Sequence, residues 1–201
     1  MKVLRQPATL AISLVVAIVS ACDATRAAPI HADQDGQLIS TNQRWSASNE
    51  QSKLIAGNLT VGQSAGANDT LTFAFANGVT LATRHALLPD DDADVRTLVD
   101  HVQTELGAPA GAFPAFYEVL EERVATSAPQ GGLCGGQRTR FVAAAEFVDA
   151  AGVRALRIAS FQVPTAGTVT LGAAPDRPRI DPTKLLPCFA LDYRSPDAGE
   201  P

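Results

Sequence analysis

Leu71, Phe73 and Phe75 alternate with Thr70, Thr72 and Ala74, a period of two that predicts a strand with one buried face. Asn77-Gly78 follows as a hairpin turn signal, and the apolar pattern selects its loop. A two-residue loop would put Val79 and Leu81 on the face opposite the phenylalanines. A three-residue loop, with Gly78 in the left-handed bulge position, pairs Phe75 with Val79 and Phe73 with Leu81 and keeps the large apolar residues together. Upstream, Leu54-Ile55 and Leu59 to Val61 predict a strand broken at Gly57. Downstream the period changes. Val95, Leu98, Val99, Val102 and Leu106 recur at helical spacing and predict an amphipathic helix from Asp92 to Leu106.

The segment 113–124 carries Phe113, Phe116, Leu120 and Val124 at helical spacing, with Pro114 suited to a first turn, and is read as a helix, although Tyr117 and Val119 can equally begin a strand. Phe141, Ala143, Ala145 and Phe147 restore the period of two. Asp149-Ala150-Ala151-Gly152 forms a turn, and 153–163 is the returning strand, with Leu156 and Ile158 on one face and Phe161 and Val163 on the other. After a stretch containing Pro175, Pro178, Pro182 and Pro187, the residues Phe189, Leu191 and Tyr193 give a final strand. These elements predict an α+β fold: an antiparallel sheet of five or six strands with one or two packed helices.

The N-terminus has a different pattern. Lys2 and Arg5 precede an apolar run over 8–21 that is too short to span a bilayer, which takes about 20 apolar residues. A basic start, a short apolar stretch and small residues before a cleavage point make a secretory signal peptide. Val19-Ser20-Ala21-Cys22 closes the run and resembles the lipobox of bacterial lipoproteins. The resemblance implies cleavage before Cys22 and lipidation of its sulfur; ordinary signal-peptidase cleavage near Ala27 or Ala28 is the alternative. It further implies a chain in the bacterial cell envelope facing the periplasm, with the lipid bilayer as a partner through Cys22. Asp23 favours the inner membrane, by analogy with enterobacterial lipoproteins. The domain plan is then a signal peptide at 1–21, a lipidated Cys22 with a polar tether at 22–52, and a single α+β domain at 53–201. Trp45 is the one large aromatic of the tether and is expected to dock where order begins.

Of three cysteines, lipid would consume Cys22 and leave Cys134 and Cys188. Outside the cytoplasm that pair is expected to form one disulfide. Closing so long a loop stabilises by roughly 4 kcal/mol on chain-entropy grounds. The alternative, a reactive Cys134 in Gly131-Gly132-Leu133-Cys134-Gly135-Gly136, rests on the flexibility of that stretch alone. A net charge of −5 with no Lys/Arg cluster argues against a nucleic-acid partner.

No chemistry emerges from the motifs. His31, His85 and His101 have no His or Cys partner at zinc-ligand spacing and are read as tether and surface residues. Asp90, Asp92 and Asp94 copy the opening of a calcium loop, but Val95 replaces its glycine and His101 its final glutamate, so helix capping is the expected role. Glu118 and Glu122 would share a helix face as solvated charge. No Gly-x-Ser-x-Gly elbow, Ser-x-x-Lys motif or phosphate loop is present. Neither cofactor nor metal is expected. The expected function is a non-enzymatic binding or inhibitor-like domain for an envelope protein or glycan. Alternatives are an envelope enzyme with dispersed catalytic residues and a structural assembly factor.

Overall fold

The computed structural model describes residues 39–63, 70–86, 92–109, 111–128, 130–163 and 184–196, with backbone alone at 92–95. Its strands are β1 (Gln43–Ala47), β2 (Leu59–Gln63), β3 (Thr70–Phe75), β4 (Val79–His85), β5 (Ala115–Val124), β6 (Phe141–Val148), β7 (Arg154–Gln162) and β8 (Leu186–Arg194). A short helix, α1 (Glu50–Ile55), joins β1 to β2, and α2 (Asp92–Leu106) lies between β4 and β5. Every strand pairs antiparallel with the next, and β8 returns to β1, closing an eight-stranded barrel. The expected α+β sheet of five or six strands is therefore corrected to a closed all-antiparallel barrel carrying two helices.

Three local readings explain that correction. The segment 113–124 is strand β5 and not a helix. Phe116 faces outward beneath α2 while Tyr117 and Val119 face the barrel interior, so apolar residues on both faces hide the period of two. A bulge then sets Leu120 between the residues opposite Ala82 and Thr83 and shifts the alternation by one. Leu54 and Ile55 belong to α1 and not to a strand: the Asn49 side chain accepts the Ser52 N–H at 2.7 Å and caps a helix that the apolar pattern conceals. Finally, β1 and the first half of α1 fall before residue 53, so ordered structure begins within the stretch read as tether. Trp45, almost fully buried, is its anchor.

Elsewhere the pattern and the structure agree. Phe73 pairs with Leu81 and Ala74 with Thr80, the register of a three-residue loop. Gly78 takes φ +92°, and a Cβ there would stand 2.6 Å from the Ala125 Cβ, so only glycine fits. Helix α2 spans the expected residues. On β6, Phe141, Ala143 and Ala145 face outward and let α2 dock Leu98, Val102 and Leu106 closely, while Val142 and Ala144 face inward. Each large apolar side chain so buried contributes about 1.5–3 kcal/mol.

Side chains fill the barrel. Trp45, Phe73, Leu81, Tyr117, Ile158 and Tyr193 are all buried within it, and Phe73 meets Tyr117 edge-on at 5.6 Å. Eight strands give an interior about wide enough for such packing. The seam between β1 and β8 is short, because β1 has five residues and β8 nine. Only Ser46↔Arg194 and Ala47↔Tyr193 pair across it. Beyond them Ser48 N donates to the Asp192 carbonyl at 2.9 Å, and Asp192 N donates to Ser52 Oγ of α1 at 2.7 Å.

Candidate functional site: the disulfide end of the barrel

The loop from β5 to β6 folds over the end of the barrel that also carries α1 and the Asn77-Gly78 hairpin. Leu133 leads it inward, fully buried in the core. Glu122 holds it there. It stands opposite Leu81 in the β4–β5 register, hence on the interior face. Its carboxylate accepts the N–H of Leu133 at 3.1 Å, the N–H of Thr139 at 2.8 Å and the Thr139 hydroxyl at 2.8 Å. A side chain at Gly132 would collide with that carboxylate. Ser160, opposite a bulge in β8 at Cys188 and Phe189, donates to the Leu133 carbonyl at 3.1 Å and accepts Phe189 N–H at 3.2 Å. The Cys134–Cys188 disulfide then staples the loop to the start of β8. The expected pairing is present.

At the opposite end Ser40 is held by Glu146. The carboxylate accepts Ser40 N at 3.0 Å and the Ser40 hydroxyl at 3.2 Å, and it pairs with Arg154. Burial pushes the Glu146 carboxyl up, but hydrogen bonds from Arg154 and Ser40, with the Arg154 charge, leave it below its ordinary value. The Arg154 guanidinium also lies over the Trp45 ring at 5.6 Å. Ile39 plugs this mouth beside Tyr117, whose phenol burial pushes up to about 12. The Tyr117 hydroxyl faces the Ile39 amide without reaching hydrogen-bond geometry.

The remaining candidate residues do not converge. Cys22, His31 and Asp90 lie outside the described residues, as do the side chains of Asp92 and Asp94. His85 ends β4 with its ring 5.7 Å from Tyr117. His101 sits on α2, 6.4 Å from Phe161, with Nε2 buried. Both are half-buried, where surface positions were expected. Glu118 pairs with Arg84 and Glu121 with Arg123, each at 2.7 Å, while Glu122 turns inward. Strand geometry thus separates carboxylates that a helix would have aligned. Nothing in the sequence distinguished Glu122, because its partners arrive from a loop many residues later. Among the described residues no group of three His, Cys, Asp or Glu could hold a metal ion, and no helix is long and apolar enough to cross a membrane.

Among the described residues, two concavities lie on the outer wall. A groove of about 500 Å³ runs over β1, β2 and β3, lined by Arg44, Asn58, Thr60, Ala74 and Pro196 among others. A cleft of about 280 Å³ holds the Arg157–Asp192 and Arg194–Asp149 ion pairs, at 2.8 and 3.1 Å. Its charges neutralise one another, so it exerts little net field on a charged ligand. The chain matches no protein-family model, no curated protein and no solved structure.

Proposed function

We propose that this chain is a lipid-anchored, non-enzymatic binding module of the bacterial envelope, tethered through Cys22 and facing the periplasm. The observation that carries the binding role is the filled interior. With Trp45, Phe73, Tyr117 and Tyr193 packed inside the barrel, recognition falls to the outer wall and the two ends. The inside-apolar arrangement, with Arg84, Glu118, Glu121 and Arg123 on the wall, is the inverse of a lipid-facing barrel. The Cys134–Cys188 disulfide supports an oxidising compartment, and the lipobox-like Val19-Ser20-Ala21-Cys22 supports the anchor. The partner is an envelope protein or glycan. Labelled palmitate should enter the wild-type chain and be lost from Cys22→Ala. Equal incorporation into both would refute the anchor.

A further inference from the structure

The outer face of β1, β2 and β3 is built from small residues with one cation at its margin. The register sets Arg44 beside Thr60 and Thr60 beside Ala74. Two residues toward the disulfide end, Ser46, Asn58 and Ala76 make a second row, in which Ala76 N donates to the Asn58 carbonyl at 2.8 Å. These rows line the groove of about 500 Å³, with Pro196 alongside. Trp45, Leu59 and Phe75 turn their side chains into the barrel, so the floor is backbone and methyl groups. No carboxylate lines the groove. Arg84, Arg123, Arg154, Arg157 and Arg194 each meet an Asp or Glu side chain. Arg44 is exposed and pairs with none among the described residues. The Ser46 and Thr60 hydroxyls are likewise uncommitted there. Asn58 Oδ1 accepts the Ala47 N–H at 3.0 Å, which orients the amide and leaves its NH2 group without a described partner.

We infer that this groove binds an acidic sugar, a hexuronic acid unit of an envelope glycan, with its carboxylate at Arg44. The inference rests on the reading of the chain as a binding module. A guanidinium without a counter-ion offers two parallel N–H donors to a carboxylate. The chain has a net charge of −5, so long-range attraction does not bring an anion to it and the pairing at Arg44 carries the recognition. The hydroxyls of Ser46 and Thr60 both donate and accept, and the Asn58 NH2 donates. That set suits a ring bearing several hydroxyls. The methyl groups of Ala74 and Ala76, with the Pro196 ring, give shallow apolar surface for the C–H face of such a ring. From Arg44 to Ala74 the row spans about 10 Å at the usual strand spacing, and the groove volume falls within the roughly 300–1,000 Å³ of small-ligand sites. A peptide fits less well. The ladder bonds of β2 run to β1 and β3, so no strand edge is offered to it, and a floor of methyl groups has no pocket for a large side chain. Paired strands hold the polar groups in place before a ligand arrives, which lowers the ordering cost of association.

The test uses the full-length chain in detergent, amide resonances read residue by residue, and two probes. Methyl glucuronide and methyl glucoside differ only in a carboxylate for a hydroxymethyl group. Millimolar methyl glucuronide should shift the amides of Arg44, Ser46, Asn58 and Thr60 saturably, and methyl glucoside should bind at least tenfold more weakly. Raised salt should weaken the first and leave the second unchanged. Arg44→Gln keeps an exposed polar side chain, so its thermal midpoint should stand while the two probes become equal. Ala74→Leu fills the floor and should abolish binding of both. Should either variant fail to fold, the pair of probes on the wild type still decides the question. Methyl glucuronide without saturable shifts overturns the proposal, as does equal binding of the two probes by the wild type. Acetate bound as tightly as methyl glucuronide would show an anion site without sugar recognition, and overturns it too. Tighter binding of acetyl-Ala-Ala-Ala would assign the groove to a peptide C-terminus and overturn the sugar. Envelope glycan captured equally by wild type and Arg44→Gln would remove the groove as the site and leave the binding-module reading standing.

Discussion

Glu122 and Glu146 occupy opposite ends of the barrel, and each carboxylate gathers N–H and hydroxyl donors from chain outside the sheet. Their local sequences explain neither role. Glu146 sits in an alanine-rich strand and is defined by Ser40, more than a hundred residues earlier. Its folded pKa lies below the ordinary 4.5. A depressed carboxylate stabilises fully above its unfolded value and loses that contribution as pH falls through the folded value. The stability difference between wild type and Glu146→Gln in urea titrations should therefore be largest near neutrality and shrink below about pH 4.5. Asp149 is also held low, first by the Val153 N–H, and will add an acid dependence that the Glu146 variant retains. A difference that stays constant from pH 7 to pH 3 would show that Glu146 does not act through its charge.

Among the elements, the loop over the disulfide end has two restraints, one covalent and one through Glu122. Replacing Cys134 and Cys188 together by serine should cost up to about 4 kcal/mol, and Glu122→Ala about 1–3 kcal/mol from the donors left unpaired. Both act on the same loop, so the combined variant should lose less than the sum. Strict additivity in urea melts would mean that the restraints are independent. The disulfide was legible in the sequence, because the compartment expected from the N-terminal pattern and the cysteine count pair two thiols. So were the Phe73–Leu81 register and α2, whose apolar residues repeat with one clear period on one buried face. Strand β5 was not. Its two faces meet different cores, and the Leu120 bulge breaks the phase that identifies a strand. Helix α1 was hidden by its six-residue length, too short for periodicity to register and signalled only by the Asn49 cap. Closure was hidden for another reason: nothing local in β1 or β8 records that they meet, and the meeting is only two residue pairs wide.

For the whole molecule, that seam sets where the structure yields. Strands β3 and β4 share five register pairs and the hairpin, whereas β1 holds three with β2 and two with β8. Local opening draws on the regions with fewest bonds. Amides of β1 should therefore exchange at a lower opening free energy than those of β3 and β4, as read by native-state hydrogen exchange in low urea. Equal protection across the three strands would show that the barrel opens only as a unit.

The position of Ser40 gives the seam a mechanical meaning. The chain reaches the barrel beside Glu146 and runs at once into β1, so a pull on the chain ahead of Ser40 is delivered to the least-bonded strand. The Ser40–Glu146–Arg154 clamp would bear the load first, and β1 next. Were β1 drawn out, the backbone of β8 from Asp192 to Arg194 would lose its partners on that side. Tension on the chain ahead of Ser40 and the length of strand left bare are thereby linked through one short joint.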